Sequence, residues 1–307
     1  MTRKPNNVAA SVRQRLLNMA RERGEDYSLL LTQYALERLL YRMSRSEYKE
    51  HFILKGAMLF SIWGGAPHRP TRDLDLLGSG DNSITHLVEV FKAICHTEVE
   101  NDGLEFLEKT VQGELIREDQ EYEGARIKLL SRLAGARIPI QVDIGYGDTV
   151  IPGPIGADFP TLLDFPVPHL QIYTHETVVA EKFQAIIMLG IANSRMKDFY
   201  DLWVITRRFS FEGNILAKAI KATFDGRRTP LPAITPLAFT PEFFEDPSKK
   251  TQWNAFIKRN RLLADRLSLG EVAVELARFF MPPAVAFAKG NSFILSWPPA
   301  GPWQKIK

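Results

Sequence analysis

Asp73 and Asp75 flank Leu74 and are followed by Leu76 and Leu77. On a β-strand alternate side chains share a face. The segment therefore reads as a strand with two carboxylates on one side and Leu74 and Leu76 buried on the other. Two carboxylates a strand-repeat apart repel unless a cation lies between them. Mg²⁺ fits, because it is hard, prefers oxygen ligands and usually shares its shell with substrate phosphates; Mn²⁺ suits the same oxygen donors. The competing reading is a capped turn at a strand end, since an exposed Asp-x-Asp is common in loops.

The surroundings of the pair narrow the choice. Before it comes the run Phe52-Ile53-Leu54-Lys55-Gly56-Ala57. Phe52–Leu54 reads as the end of a buried segment, Gly56 as a tight turn that lets the backbone approach a ligand, and Ala57 to Trp63 as helix. A glycine turn opening a helix aims free N–H groups at whatever lies in front, which suits phosphate. Further along, residues 138–144 read as a strand by their β-branched content, with Pro139 marking its start or an edge. Asp143 sits there between Val142 and Ile144. A carboxylate in an apolar strand is costly unless it is paired or binds metal. Arg126 and Arg137 are the candidate partners for a purely structural Asp143.

Glycine turn and helix, a strand with two aspartates, then a strand with a third: this order resembles the DNA polymerase beta-like nucleotidyltransferase superfamily. The resemblance implies that the glycine turn holds a triphosphate. It also implies that Asp73 and Asp75 hold Mg²⁺, and that Asp143 completes the metal site or activates the attacking hydroxyl. The usual second residue of the turn is Gly or Ser, and here it is Ala57, which leaves backbone N–H groups and Lys55 for the phosphates. Downstream, Ala180-Glu181-Lys182-Phe183-Gln184-Ala185 and Asn193-Ser194-Arg195-Met196-Lys197-Asp198-Phe199-Tyr200-Asp201-Leu202-Trp203 are similar to the third and fourth motifs of the AbiEii/AbiGii toxin family. That family includes the mycobacterial MenT toxins, which modify tRNA 3′ ends. The likeness runs from about Leu54 to about Trp203 and touches the tail segment 296–303.

By that resemblance Lys182 contacts the nucleotide phosphates, Asp198 orients Lys182 or the base and ribose, and Arg195 and Lys197 serve the triphosphate or the acceptor. Each has a plainer reading. Lys182 on an apolar helix face can snorkel to solvent. Asp198 and Asp201 share a helix face and suit a helix N-terminus. Glu181 reads as an ordinary helix ion pair, Asp148 as part of a turn, and Phe199, Tyr200 and Trp203 as core.

The expected fold is α/β: a mixed polymerase beta-like sheet with flanking helices over residues 1–172, then a mostly helical domain over 173–307, with the active site in a cleft between them. Val8–Arg23, Tyr27–Met43 and Ser83–His96 read as helices. Residues 106–111, 114–118 and 126–130 read as strands of a meander. Segment 147–168, with five prolines, reads as an extended connection. One cysteine, Cys95, excludes an internal disulfide framework and fits a reducing cytosol. No window of eighteen uninterrupted apolar residues predicts a membrane span, and the basic Met1–Pro5 lacks the apolar core of a signal peptide. The six histidines show no metal-ligand spacing, so zinc is not expected.

The net charge of +3 conceals an asymmetry. Residues 176–307 carry 19 Lys and Arg against 12 Asp and Glu, whereas residues 1–175 carry 20 against 24. Arg207-Arg208, Arg227-Arg228, Lys249-Lys250 and the 258–261 cluster read either as solvated helix faces or as contacts to a phosphate backbone. The combined expectation is an NTP-dependent nucleotidyltransferase that releases pyrophosphate. The resemblance implies that its acceptor is RNA, a tRNA 3′ end, and that its antitoxin is a winged-helix DNA-binding protein encoded nearby. Transfer to a protein side chain, or a degenerate binding-only role, are the alternatives.

Overall fold

The computed structural model describes residues 7–64, 71–119, 122–260, 262 and 267–306. Met1–Pro5 and Arg261 of the last basic cluster lie outside them. The chain divides into two compact units. One comprises Met1–Gly147 and Ile155–Ile172, the other Asp148–Pro154 and Tyr173–Lys307.

The first unit opens with α1 (Val8–Arg23) and α2 (Tyr27–Arg45). Asn7 caps α1 by accepting the Ala10 N–H at 2.9 Å, and Asp26 caps α2 by accepting from Leu29 at 2.8 Å, each satisfying an otherwise orphaned amide. The apolar stripe of α2, including Leu30, Tyr34, Leu36 and Leu40, is fully buried. Next come β1 (Phe52–Lys55), a single 3₁₀ turn at Gly56–Met58, α3 (Leu59–Gly64), β2 (Asp73–Gly78) and α4 (Ile84–His96), the last capped by Ser83. The strands β3 (Leu104–Asp119), β4 (Tyr122–Leu133), β5 (Ala136–Tyr146), β6 (Ile155–Asp158) and β7 (His169–Ile172) complete a seven-stranded mixed sheet of order β3-β4-β5-β2-β1-β7-β6. The fold is α/β.

Two local expectations change. The strands read at 106–111 and 114–118 are one long strand, β3. Its register against β4 jumps between Leu107 and Gln112, which oppose Leu130 and Lys128. A bulge of this kind inserts residues without ending the strand, so a sequence pattern that loses alternation there reads as two. The proline-rich segment is also not wholly a connection, because β6 lies within it and pairs antiparallel with β7. Pro139 sits on β5 before β2 begins to pair at Gln141, so that stretch of β5 has only β4 beside it.

A buried ionic knot fastens α2 to the start of β3. Arg42 reaches Asp102 at 2.7 Å and Arg38 reaches it at 3.2 Å, while Tyr34 donates to the Asp102 carbonyl at 2.7 Å.

The second unit contains α5 (His175–Leu189), α6 (Met196–Arg208), β8 (Phe211–Glu212), α7 (Gly213–Gly226), α8 (Pro241–Phe244), α9 (Pro247–Arg259), α10 (Leu269–Ala288) and β9 (Ser296–Trp297), with β8 and β9 paired. Phe183 stacks on Phe280 at 4.1 Å, and Phe199 on Phe243 at 5.5 Å. Phe199 and Tyr200, read as core from the sequence, are buried. Trp203 donates to Glu275 at 3.1 Å.

Candidate active site

The sheet face of the first unit collects polar side chains in rungs. Asp75 on β2 opposes Lys55 on β1 and Asp143 on β5; Asp143 opposes Arg126 on β4, which opposes Glu114 on β3. The neighbouring rung holds Asp73, Gln141, Lys128 and Gln112. Directly opposed residues share a face, so one side of the sheet gathers all three aspartates. Leu74, Leu76, Val142 and Ile144 alternate onto the other side and are completely buried.

Gly56 follows Lys55 with φ +74°, in the region that favours glycine. A Cβ built there would stand 2.0 Å from Oδ2 of Asp75. The turn backbone is therefore packed directly on a carboxylate, leaving no room for any side chain. Ala57 is buried, so what it offers a ligand is its backbone. Lys55 is buried too, at the end of β1. Asp73 is exposed and Asp75 half-buried.

Asp143 is held by Arg126 in a two-pronged ion pair: Nε donates at 2.7 Å and the second nitrogen at 2.8 Å, with Gln141 donating at 3.3 Å. The structural partner considered for Asp143 thus exists, and it is Arg126 rather than Arg137. The Asp143 hydrogen bonds, and after them the charges of Asp143, Glu114 and Asp73, raise the Arg126 pKa against the opposing effect of burial. Among the described residues no group of three or more His, Cys, Asp or Glu side chains is arranged to hold a metal ion. The donors that suit a divalent ion here are Asp73 and Asp75, two oxygen ligands on one strand face.

The remaining motif residues lie in the second unit. Lys182 on α5 is bracketed by Asp198 at 2.6 Å and Asp201 at 2.9 Å, one turn apart on α6. Arg195 closes on the other oxygen of Asp198 at 3.0 Å. Burial pushes the Asp198 carboxyl up, but Lys182 and Arg195 together hold it below its usual value. Lys182 does not simply snorkel; its ammonium is fixed between two fully buried carboxylates. Lys197 is exposed on the same helix.

Sequence reasoning missed a second buried network. Arg227 donates to Asp148 at 2.9 Å and to Gln184 at 3.1 Å, and lies 3.6 Å from Glu181. Glu181 is therefore paired across elements rather than along its own helix, and Asp148 belongs to this network as well as to its turn. Lys249 is buried likewise, donating to the Asn193 carbonyl at 2.8 Å. No local signal distinguishes such buried cations from solvated ones.

The comparison with protein families places the chain among the nucleotidyl transferases. The family model described as "Nucleotidyl transferase AbiEii toxin, Type IV TA system" matches residues 38–275, and the chain belongs to that family. No curated protein matches the chain significantly. Among solved structures it is similar to JHP933 from Helicobacter pylori, at 14% identity over 85% of this chain and 90% of that one, with a TM-score of 0.47. A second H. pylori structure, described provisionally as a nucleotidyltransferase, is similar at 13% identity over 85% and 92%, with a TM-score of 0.46. Among the described residues no helix is long and apolar enough to cross a membrane.

Proposed function

We propose that the protein transfers a nucleoside monophosphate from an NTP to an RNA acceptor, a tRNA 3′ end by the family resemblance. The observation that carries this reading is the polar face itself: Asp73 and Asp75 on one strand, Asp143 in register beside them, and Gly56 packed against Asp75.

In this reading Asp73 and Asp75 hold Mg²⁺ or Mn²⁺. When bound, the ion supplies neutralisation of phosphate charge and polarisation of the α-phosphoryl group. The Gly56–Ala57 backbone takes the triphosphate. The acceptor hydroxyl oxygen bonds to the α-phosphorus, the bond from that phosphorus to the bridging oxygen breaks, and pyrophosphate leaves. Asp143 accepts the hydroxyl proton. Arg126 occupies one lone pair on each of its oxygens, and a carboxylate has about four such sites, so capacity for that proton remains. Lys182 offsets phosphate charge as the resemblance implies, with Asp198 and Asp201 fixing its ammonium and Arg195 and Lys197 adding positive charge. The family's antitoxin would be a winged-helix DNA-binding protein, and both would act in the cytosol.

The test uses purified protein, total tRNA, Mg²⁺ and each of four α-labelled NTPs. Label on RNA with wild type, lost in Asp73→Ala, is the expected result. Absence of label with every NTP would withdraw the RNA assignment in favour of a protein acceptor or a binding-only role.

A further inference from the structure

A cavity of about 560 Å³ opens beside Asp73, on the β5, β4 and β3 side of the carboxylates. Arg72, Lys109, Gln112, Lys128 and Gln141 line it together with Asp73. We propose that this cavity is the acceptor site and that it takes the 3′-terminal nucleotides of an RNA. The inference rests on the nucleotidyl-transfer reading above and deepens it.

Three observations carry it. The first is direction. In the strand order, β1 with its Gly56 turn lies on one side of β2 and β5 on the other. Transfer at phosphorus sets the attacking and leaving oxygens roughly in line. If the triphosphate runs toward Gly56, the attacking hydroxyl has to arrive from the side of β5, and the cavity lies there.

The second is a device in the backbone. The four residues 108–111 of β3 stand against Leu129 alone on β4, because Leu107 opposes Leu130 and Gln112 opposes Lys128. Thr110 secures this bulge: its hydroxyl donates to the Leu107 carbonyl at 2.6 Å and accepts the Leu130 N–H at 2.9 Å, replacing a lost ladder bond. Bulges re-aim side chains beside active sites, and this one brings Lys109 to the cavity wall. Lys109 is exposed and makes no ion pair among the described residues.

The third is chemistry. Lys109 supplies charge for phosphates, as do Arg72 and Lys128, which share their charges with Asp26 at 3.6 Å and Glu114 at 2.6 Å. Gln112 and Gln141 supply amide donors and acceptors for hydroxyls and base edges. A protein hydroxyl would bring no phosphate to meet these cations, and an RNA 3′ end brings several.

The experiment follows transfer from labelled NTP to a short RNA hairpin with a single-stranded 3′ end, and binding of the same fluorescent RNA by anisotropy. Lys109→Ala should raise the KM for RNA about tenfold while leaving the KM for NTP unchanged, and should lower the salt slope of RNA binding by about one. Lys109→Arg should restore most of the loss. A rise in the KM for NTP instead would give the cavity to the nucleotide, and equal RNA affinity in wild type and Lys109→Ala would equally overturn the proposal. If wild type transfers nothing to RNA, the functional reading fails by itself, and the anisotropy comparison still decides the cavity.

Discussion

Gly56 shows how much one missing methyl can decide. Its backbone lies where only glycine is comfortable, and its α-carbon rests against the Asp75 carboxylate. Gly56→Ala must therefore strain φ, at a cost of about 1–2 kcal/mol, and also push Asp75 out of register with Asp143. The expected outcome is loss of transfer activity far beyond the loss of stability, read by label transfer beside a thermal melt. Activity within a few-fold of wild type would show that the carboxylate has slack. Gly56, Asp73 and Asp75 were legible because strand alternation and a glycine turn are local signals. The Asp143–Arg126 fork was legible only as an alternative, since choosing between Arg126 and Arg137 needs the β4–β5 register. The Arg227–Asp148 pair, 79 residues apart in sequence, left no local trace at all.

Among the elements, α2 carries a charge with consequences for pH. Glu37 is almost completely buried, accepts the Leu162 N–H at 2.7 Å and lies 3.5 Å from Arg38. Burial outweighs these two partners and pushes its carboxyl up to about 7. The folded protein then holds a proton that the unfolded chain has released, over the interval from about 4.5 to about 7. Stability contributed by this group is present at the acid end and is lost as pH rises through that interval. Glu37→Gln should remove the loss, on the order of 2–3 kcal/mol, so melting temperatures at pH 5 and pH 8 should converge in the variant. An unchanged pH profile would place the proton elsewhere. Helix limits were the most readable elements, since the apolar period carries them; the caps at Asn7, Asp26 and Ser83 emerge only with the structure. The β3 bulge was not, because it erases the period on which strand reading depends.

For the molecule as a whole, a count of charges overstates what the surface offers. Residues 176–307 hold a surplus of cations, yet Arg227 and Lys249 are consumed inside the unit and Arg207 is tied to Glu275 at 3.1 Å. Exposed Arg208, Lys218, Lys258, Arg259, Arg278 and Lys289 are among those that remain. RNA binding should therefore depend on salt less steeply than the 19 Lys and Arg of this half suggest, with a log–log slope no steeper than about −6 even with the cations of the sheet cavity included, measured by anisotropy between low and physiological salt. A slope near zero would remove backbone contact from the reading. The α/β class was legible in the sequence, whereas the path of the chain was not, because proline content marks a connection without saying where it leads.

That path has a practical consequence. The chain leaves the sheet unit after Gly147, contributes Asp148–Pro154 to the helical unit, and returns for β6 and β7 before leaving again at Tyr173. The short excursion supplies the carboxylate that meets Arg227 and the Ile151 backbone that bonds Thr174 and Thr177. No single cut yields two intact halves. A gene fragment beginning at residue 173 would encode helices robbed of their clasp, so recombination can shuffle this protein as a whole but not as two cassettes.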